Sequence, residues 1–233
     1  MTTSMPQVAL LASPLLGPAV WRPAAVALQG LGWRVLLVPG PVGAPRQPQD
    51  VLEHLLSHLP AEQPVAVVAH SNAGLYVPAL AAERSVVASV FADAALPPAA
   101  GSTFLAPVGM HRFLKDLADH DGLLPPWTRW WDEPQLARLF PDSAARAAVE
   151  AEQHRIPLGY FTATLDVPAG WAERLAAYLA FGDTYQAERD QAELWGWPVR
   201  TLPGEHLHPL MEPTGVAAAL DDLLRGLLQL SCA

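Results

Sequence analysis

The chain has 233 residues, 51% of them hydrophobic and only 16% charged, with a formal net charge of −9. That length and composition suit one well-buried domain with room for an insertion, and they exclude a disordered chain. The acidic balance, without any run of Lys or Arg, disfavours nucleic acid and anionic membrane surfaces as partners.

The single cysteine, Cys232, cannot form an intrachain disulfide and fits a reducing compartment, so a cytoplasmic protein is expected. Residues 1–17 lack a basic segment, and Pro14 breaks their apolar run, so they read as the approach to a first strand rather than a signal peptide. No stretch reaches the roughly 18 uninterrupted apolar residues of a membrane span.

In chain order, residues 7–12 read as a fully buried strand, followed by a Pro- and Gly-marked loop at 13–18. A helix over 20–31, a strand over 34–39 and a loop over 40–48 come next. Residues 49–59 form an amphipathic helix with Val51, Leu52, Leu55, Leu56 and Leu59 on one face. Residues 65–68 are a strand, and a helix is expected from Asn72, kinked at Pro78 by the missing backbone donor. A strand over 86–92 closes this half. Buried strands without polar alternation, linked by helices, predict a parallel sheet covered on both faces. In such sheets a ligand site lies at the carboxyl ends of the strands.

Residues 95–170 break the rhythm. They are rich in proline and carry an aromatic cluster of Trp127, Trp130, Trp131, Phe140, Tyr160 and Phe161. Helices are expected at 111–119, 133–139 and 143–154. The segment reads as a cap over the strand ends, with 1–94 and 171–233 forming the core. Trp127, Trp130, Trp131, Tyr160 and Phe161 are expected to line a pocket for an apolar small molecule, or to form the cap's own core. Beyond the cap come a strand at 175–181, a turn at 182–184, a helix at 187–194 and a last strand at 199–202. An amphipathic helix over 216–230 ends the chain, burying Leu220, Leu223, Leu224, Leu227 and Leu228.

The stretch Ala69-His70-Ser71-Asn72-Ala73-Gly74 sits between an apolar strand and a helix. A serine there is lifted out of the chain on a strained turn, and small residues are needed two positions either side of it. Its alternative role is a helix N-cap. Ser71, Asp183 and His206 occur in that order, each just past a predicted strand. A serine hydroxyl is a weak nucleophile unless a base takes its proton and a carboxylate holds that base in the right tautomer. His206 and His208 form a His-x-His pair, but no third ligand has metal-site spacing, so no metal is expected. No dinucleotide or phosphate-loop signature is present.

These stretches, together with Ser13-Pro14-Leu15-Leu16-Gly17-Pro18, Phe91-Ala92-Asp93 and Leu202-Pro203-Gly204-Glu205-His206, resemble the α/β-hydrolase superfamily. The likeness spans the core but not the cap. Alanines at positions 69 and 73 stand where the family usually has glycine. The resemblance implies an α/β fold with a mostly parallel sheet. About six strands are expected, since the family's two extra N-terminal strands have no room before Gln7. It implies Ser71 as nucleophile, His206 as general base, and Asp183 as the acid with Asp93 as the alternative. The oxyanion hole would use the backbone N–H of Asn72 and that of Leu15 or Leu16. No cofactor is implied. The function expected is hydrolysis of an ester or thioester. Elimination or cyclisation without an acyl-enzyme, and ligand binding without turnover, are the alternatives.

Overall fold

A computed structural model describes residues 5–230. Cys232 and the first residues of the segment weighed as a signal peptide lie outside the described residues. The elements in chain order are β1 (Gln7–Leu11), α1 (Arg22–Gly30), β2 (Val35–Leu37), α2 (Pro48–His58), β3 (Val65–Ser71), α3 (Val77–Glu83) and β4 (Val86–Ala94). Then follow β5 (Gly101–Phe104), α4 (His111–Leu117), α5 (Glu133–Ala137), α6 (Ser143–Glu150), α7 (Leu158–Thr162) and β6 (Thr164–Val167). The chain closes with β7 (Ala176–Phe181), α8 (Gln186–Leu194), β8 (Val199–Leu202), α9 (His208–Met211) and α10 (Pro213–Leu230).

Six strands form one parallel sheet in the order β2-β1-β3-β4-β7-β8. Successive side chains of a strand point to opposite faces, so an unbroken apolar strand feeds two cores at once. Val8, Leu10, Ala66, Val68, Val90, Leu179 and Phe181 join one cluster with Leu28 of α1 and Leu220, Leu224 and Leu227 of α10. Ala9, Leu11, Val67, Ala69, Phe91 and Tyr178 join a second with Val51 and Leu55 of α2 and Leu80 of α3. Leu223 and Leu228, expected to be buried with them, are partly buried against the first cluster.

The expected helix at Asn72 takes a different form. A 3-10 turn spans Asn72–Tyr76, and α3 begins only at Val77. Pro78 therefore falls in a first helical turn, where its missing N–H has no partner to lose, and no kink is needed. The terminal helix likewise starts at Pro213, earlier than expected. The residue that must be glycine beside the elbow is Gly74, since a Cβ there would run into the carbonyl oxygen of Ala95. Ala73 is accommodated in the core.

Between β4 and β7 the chain builds α4 to α7 and a two-stranded antiparallel ribbon of β5 and β6. The ribbon was not expected from the sequence. Leu105, Leu114, Trp127, Trp130, Phe140, Tyr160 and Phe161 of this insertion continue the second core cluster beyond the strand ends.

Candidate active site

Ser71 ends β3 with φ 58° and ψ −131°. Left-handed backbone is unfavourable for a residue with a Cβ and persists only where the surroundings impose it. Here the fully buried strand arrives on one side and the 3-10 turn leaves on the other. Ala95 N–H donates to Ser71 O at 3.1 Å and ties the turn to the end of β4. Asn72 opens the turn, so its N–H has no partner within it.

Among the described residues, Asp93 is the second non-glycine residue at positive φ, 45°. The pairing of β3 with β4 slips here: His70 faces Ala92, Ser71 faces Ala94, and Asp93 is the extra residue. Such a bulge re-aims a side chain. The Asp93 carboxylate is 0% exposed. It accepts a hydrogen bond from His206 Nδ1 at 2.7 Å through Oδ2, and from Phe181 N–H at 3.0 Å through Oδ1. Tyr178 fixes the adjacent strand end, donating to Ala94 O at 2.8 Å and accepting from Ala94 N–H at 3.0 Å.

Asp183, the acid favoured from the sequence, stands elsewhere. Its side chain is 84% exposed and pairs with Arg189 at 3.5 Å. The loops after β7 and β8 pack so closely that a Cβ on Gly182 would meet Gly204 O. That approach carries His206 over the end of β4, onto Asp93, and leaves Asp183 outside.

His70 lies beneath His206. The rings stack with centroids 4.5 Å apart, and His70 Nε2–H donates to the His206 carbonyl at 2.9 Å. Burial, then the neighbouring His206, hold His70 well below the usual imidazole pKa. A base whose folded pKa lies below its unfolded value binds fewer protons folded than unfolded. Its stabilisation is complete above about pH 6.5 and is lost as pH falls from there towards the folded pKa. Stability should therefore decline on acidification below pH 6.5, by a limiting slope of about 1.4 kcal/mol per pH unit from this group. Thermal melts of wild type and His70→Gln between pH 7.5 and 5 check this: the slope should be shallower in the variant.

Ser71 and His206 border one cavity of about 730 Å³, within the size of small-molecule sites. Of the expected lining residues, Trp127, Trp130, Trp131 and Phe161 do line it, together with Leu105 and Leu114. Tyr160 does not. It is fully buried behind the wall, and its hydroxyl donates to Asn72 Oδ1 at 2.9 Å while Tyr76 OH donates to it at 2.7 Å. Asn72 Nδ2 donates in turn to Leu105 O at 2.6 Å. The side chain of Asn72 thus pins the insertion to the turn. Of the two oxyanion candidates after β1, Leu15 lines the cavity. Its N–H makes only a long bond of 3.3 Å, to Ser13 Oγ. Leu16 is fully buried, and its N–H is used at 3.0 Å by Ser13 O.

Among the described residues, no hydrogen bond joins Ser71 Oγ to His206. Its partner is Tyr185 OH at 3.4 Å. Tyr185 directly follows the Gly182-Asp183-Thr184 turn after β7 and packs its ring 5.6 Å from that of His206. Sequence reasoning passed over it, although a tyrosine beside a turn at a strand's carboxyl end was the available signal. His208 packs against Phe181 and Gly204 and supports the loop. The one group of three close metal-ligand types among the described residues, Asp119, His120 and Asp121, lies exposed on the insertion, with Asp119 already paired to Arg155. No helix among the described residues is long and apolar enough to cross a membrane.

No protein-family model matches the chain, and no curated protein matches it. Solved structures do. An extracellular α/β-hydrolase from a Paenibacillus species matches with a TM-score of 0.72 at 15% identity, over 94% of this chain and 99% of that one. Polyneuridine aldehyde esterase matches at 0.69 and 15%, over 94% and 99%. Tomato methylketone synthase I matches at 0.69 and 13%, over 97% and 100%. With the six-stranded parallel sheet and its flanking helices, these likenesses identify the architecture: the chain has the α/β-hydrolase fold.

Proposed function

We propose that the chain is a serine hydrolase that cleaves an ester or thioester of a small, largely apolar molecule. Ser71 is the nucleophile, His206 the general base and Asp93 the acid. The N–H groups of Asn72 and Leu15 form the oxyanion hole, and the insertion between β4 and β7 serves as the cap. The observation that carries this reading is the 2.7 Å bond from His206 Nδ1 to buried Asp93, made beside a cavity that Ser71 borders on a strained turn.

With Nδ1 protonated and held by Asp93, the imidazole has Nε2 free to take a proton. Attack requires Ser71 Oγ to exchange Tyr185 for His206 Nε2. Such contacts commonly form only when substrate is bound. The Ser71 oxygen adds to the carbonyl carbon, and the carbonyl electron pair moves to the oxygen facing Asn72 and Leu15. Collapse expels the leaving group, which takes the proton from His206. Water then repeats the sequence and releases the acid.

A fluorophosphonate probe tests this directly. Wild type should be labelled covalently, and Ser71→Ala should not. Equal labelling of the two proteins would remove Ser71 from the chemistry. A second reading, elimination or cyclisation driven by His206 without an acyl-enzyme, draws support from the Tyr185 hydrogen bond that occupies Ser71 Oγ.

A further inference from the structure

We propose that Tyr185 is a catalytic residue that donates a hydrogen bond to the departing oxygen, and that it tunes the site to oxygen esters over thioesters. The inference rests on the hydrolase reading above and adds to it the class of bond cleaved.

The sheet order places the parts. β1 lies on one side of β3, and β4, β7 and β8 lie on the other. The oxyanion donor Leu15 follows β1, so the carbonyl oxygen turns towards that side of Ser71. His206 follows β8 and must protonate the leaving group, which therefore sits on the opposite side. Tyr185 follows β7 and borders that side of the cavity, with its hydroxyl 3.4 Å from Ser71 Oγ. Among the described residues this hydroxyl has no other hydrogen-bond partner. Burial first, and the carboxylates of Asp93 and Glu188 after it, push the phenol above its ordinary pKa. The group therefore stays protonated and acts as a donor throughout the working pH range.

In the collapse of the tetrahedral intermediate the bond from carbon to the alcohol oxygen breaks and its electron pair goes to that oxygen. His206 Nε2 delivers the proton. Tyr185 keeps its own proton and donates a hydrogen bond to the oxygen while charge develops there. An alkoxide is a strong base and gains much from such a donor, whereas a thiolate is a better leaving group and sulfur a weak acceptor. The hydroxyl thus favours the first class and does little for the second.

The test is a matched set of substrates sharing one acyl group, selected with wild type from acetyl to octanoyl: the ethyl ester, the S-ethyl thioester and the 4-nitrophenyl ester. All three acylate to the same intermediate, so kcat/KM isolates acylation. Tyr185→Phe should lower kcat/KM on the order of a hundredfold for the ethyl ester and less than about tenfold for the other two, by analogy with the loss of an oxyanion donor. The ratio between substrates does not depend on the fraction of protein folded, and Tyr185→Leu should move it the same way. An unchanged ratio in both variants overturns the proposal while leaving the hydrolase reading intact. A wild type that turns over none of the set, at any acyl length, overturns the hydrolase reading itself and the Tyr185 role with it.

Discussion

Ser71→Ala is expected to lower kcat/KM for ester hydrolysis about 10⁴- to 10⁶-fold, as losses of a nucleophile within a coupled triad do. The alanine removes the only atom that can carry the acyl group. His206, Asp93 and the two oxyanion N–H groups stay in place, because the strained turn is held by the buried strand and by Ala95, not by the serine hydroxyl. What remains should be the small acceleration that binding and oxyanion donors give to attack by water. The same substitution separates the competing chemistry. A reaction in which His206 merely abstracts a proton needs no Oγ, and Ser71→Ala would then retain turnover within about tenfold of wild type, the size of a modest uniform-binding effect. Pre-steady-state kinetics with a chromogenic ester in excess over enzyme add a second readout, since the covalent route shows a burst of alcohol release when deacylation is the slower step.

The sheet and the elbow were legible in the sequence for a physical reason. An apolar run such as Val65-Ala66-Val67-Val68-Ala69, buried on both faces, has few alternatives to a central parallel strand. The small residues that follow mark a close passage, although the tight contact proved to be at Gly74 rather than at Ala73. Which carboxylate meets His206 was not legible. Asp183 follows a glycine after the penultimate strand, where an acid was to be expected. What decided the matter was a bulge that turns Asp93 inward and a loop contact between Gly182 and Gly204. Both are long-range events that no local pattern encodes. Tyr160 shows the same limit. The aromatic cluster announced a packed wall, but whether a ring faces the cavity or the back of Asn72 depends on helix rotation, which composition does not fix. The ribbon of β5 and β6 pairs segments separated by the whole helical part of the insertion, and so it left no short-range signal.

Asp93→Asn should lower kcat by about 10⁴-fold, while Asp183→Asn should change it less than about twofold. The reason is orientation as much as charge. Phe181 N–H donates to Asp93 Oδ1, so an asparagine must present its carbonyl oxygen to Phe181 to avoid leaving that buried donor unpaired. Its NH₂ group then faces His206 Nδ1, at the position where Oδ2 now accepts. A donor there forces the imidazole proton onto Nε2, the nitrogen that must take the proton from Ser71, and it also removes the charge that stabilises the imidazolium. Backbone and volume are unchanged, so the fold should persist and the loss should appear in kcat and in the rate of fluorophosphonate labelling. Asp183 has no such route to the ring, because its exposed carboxylate pairs with Arg189 at the surface. Parallel kinetics on the two variants decide between the carboxylates: a large loss in Asp183→Asn with an active Asp93→Asn would reverse the assignment.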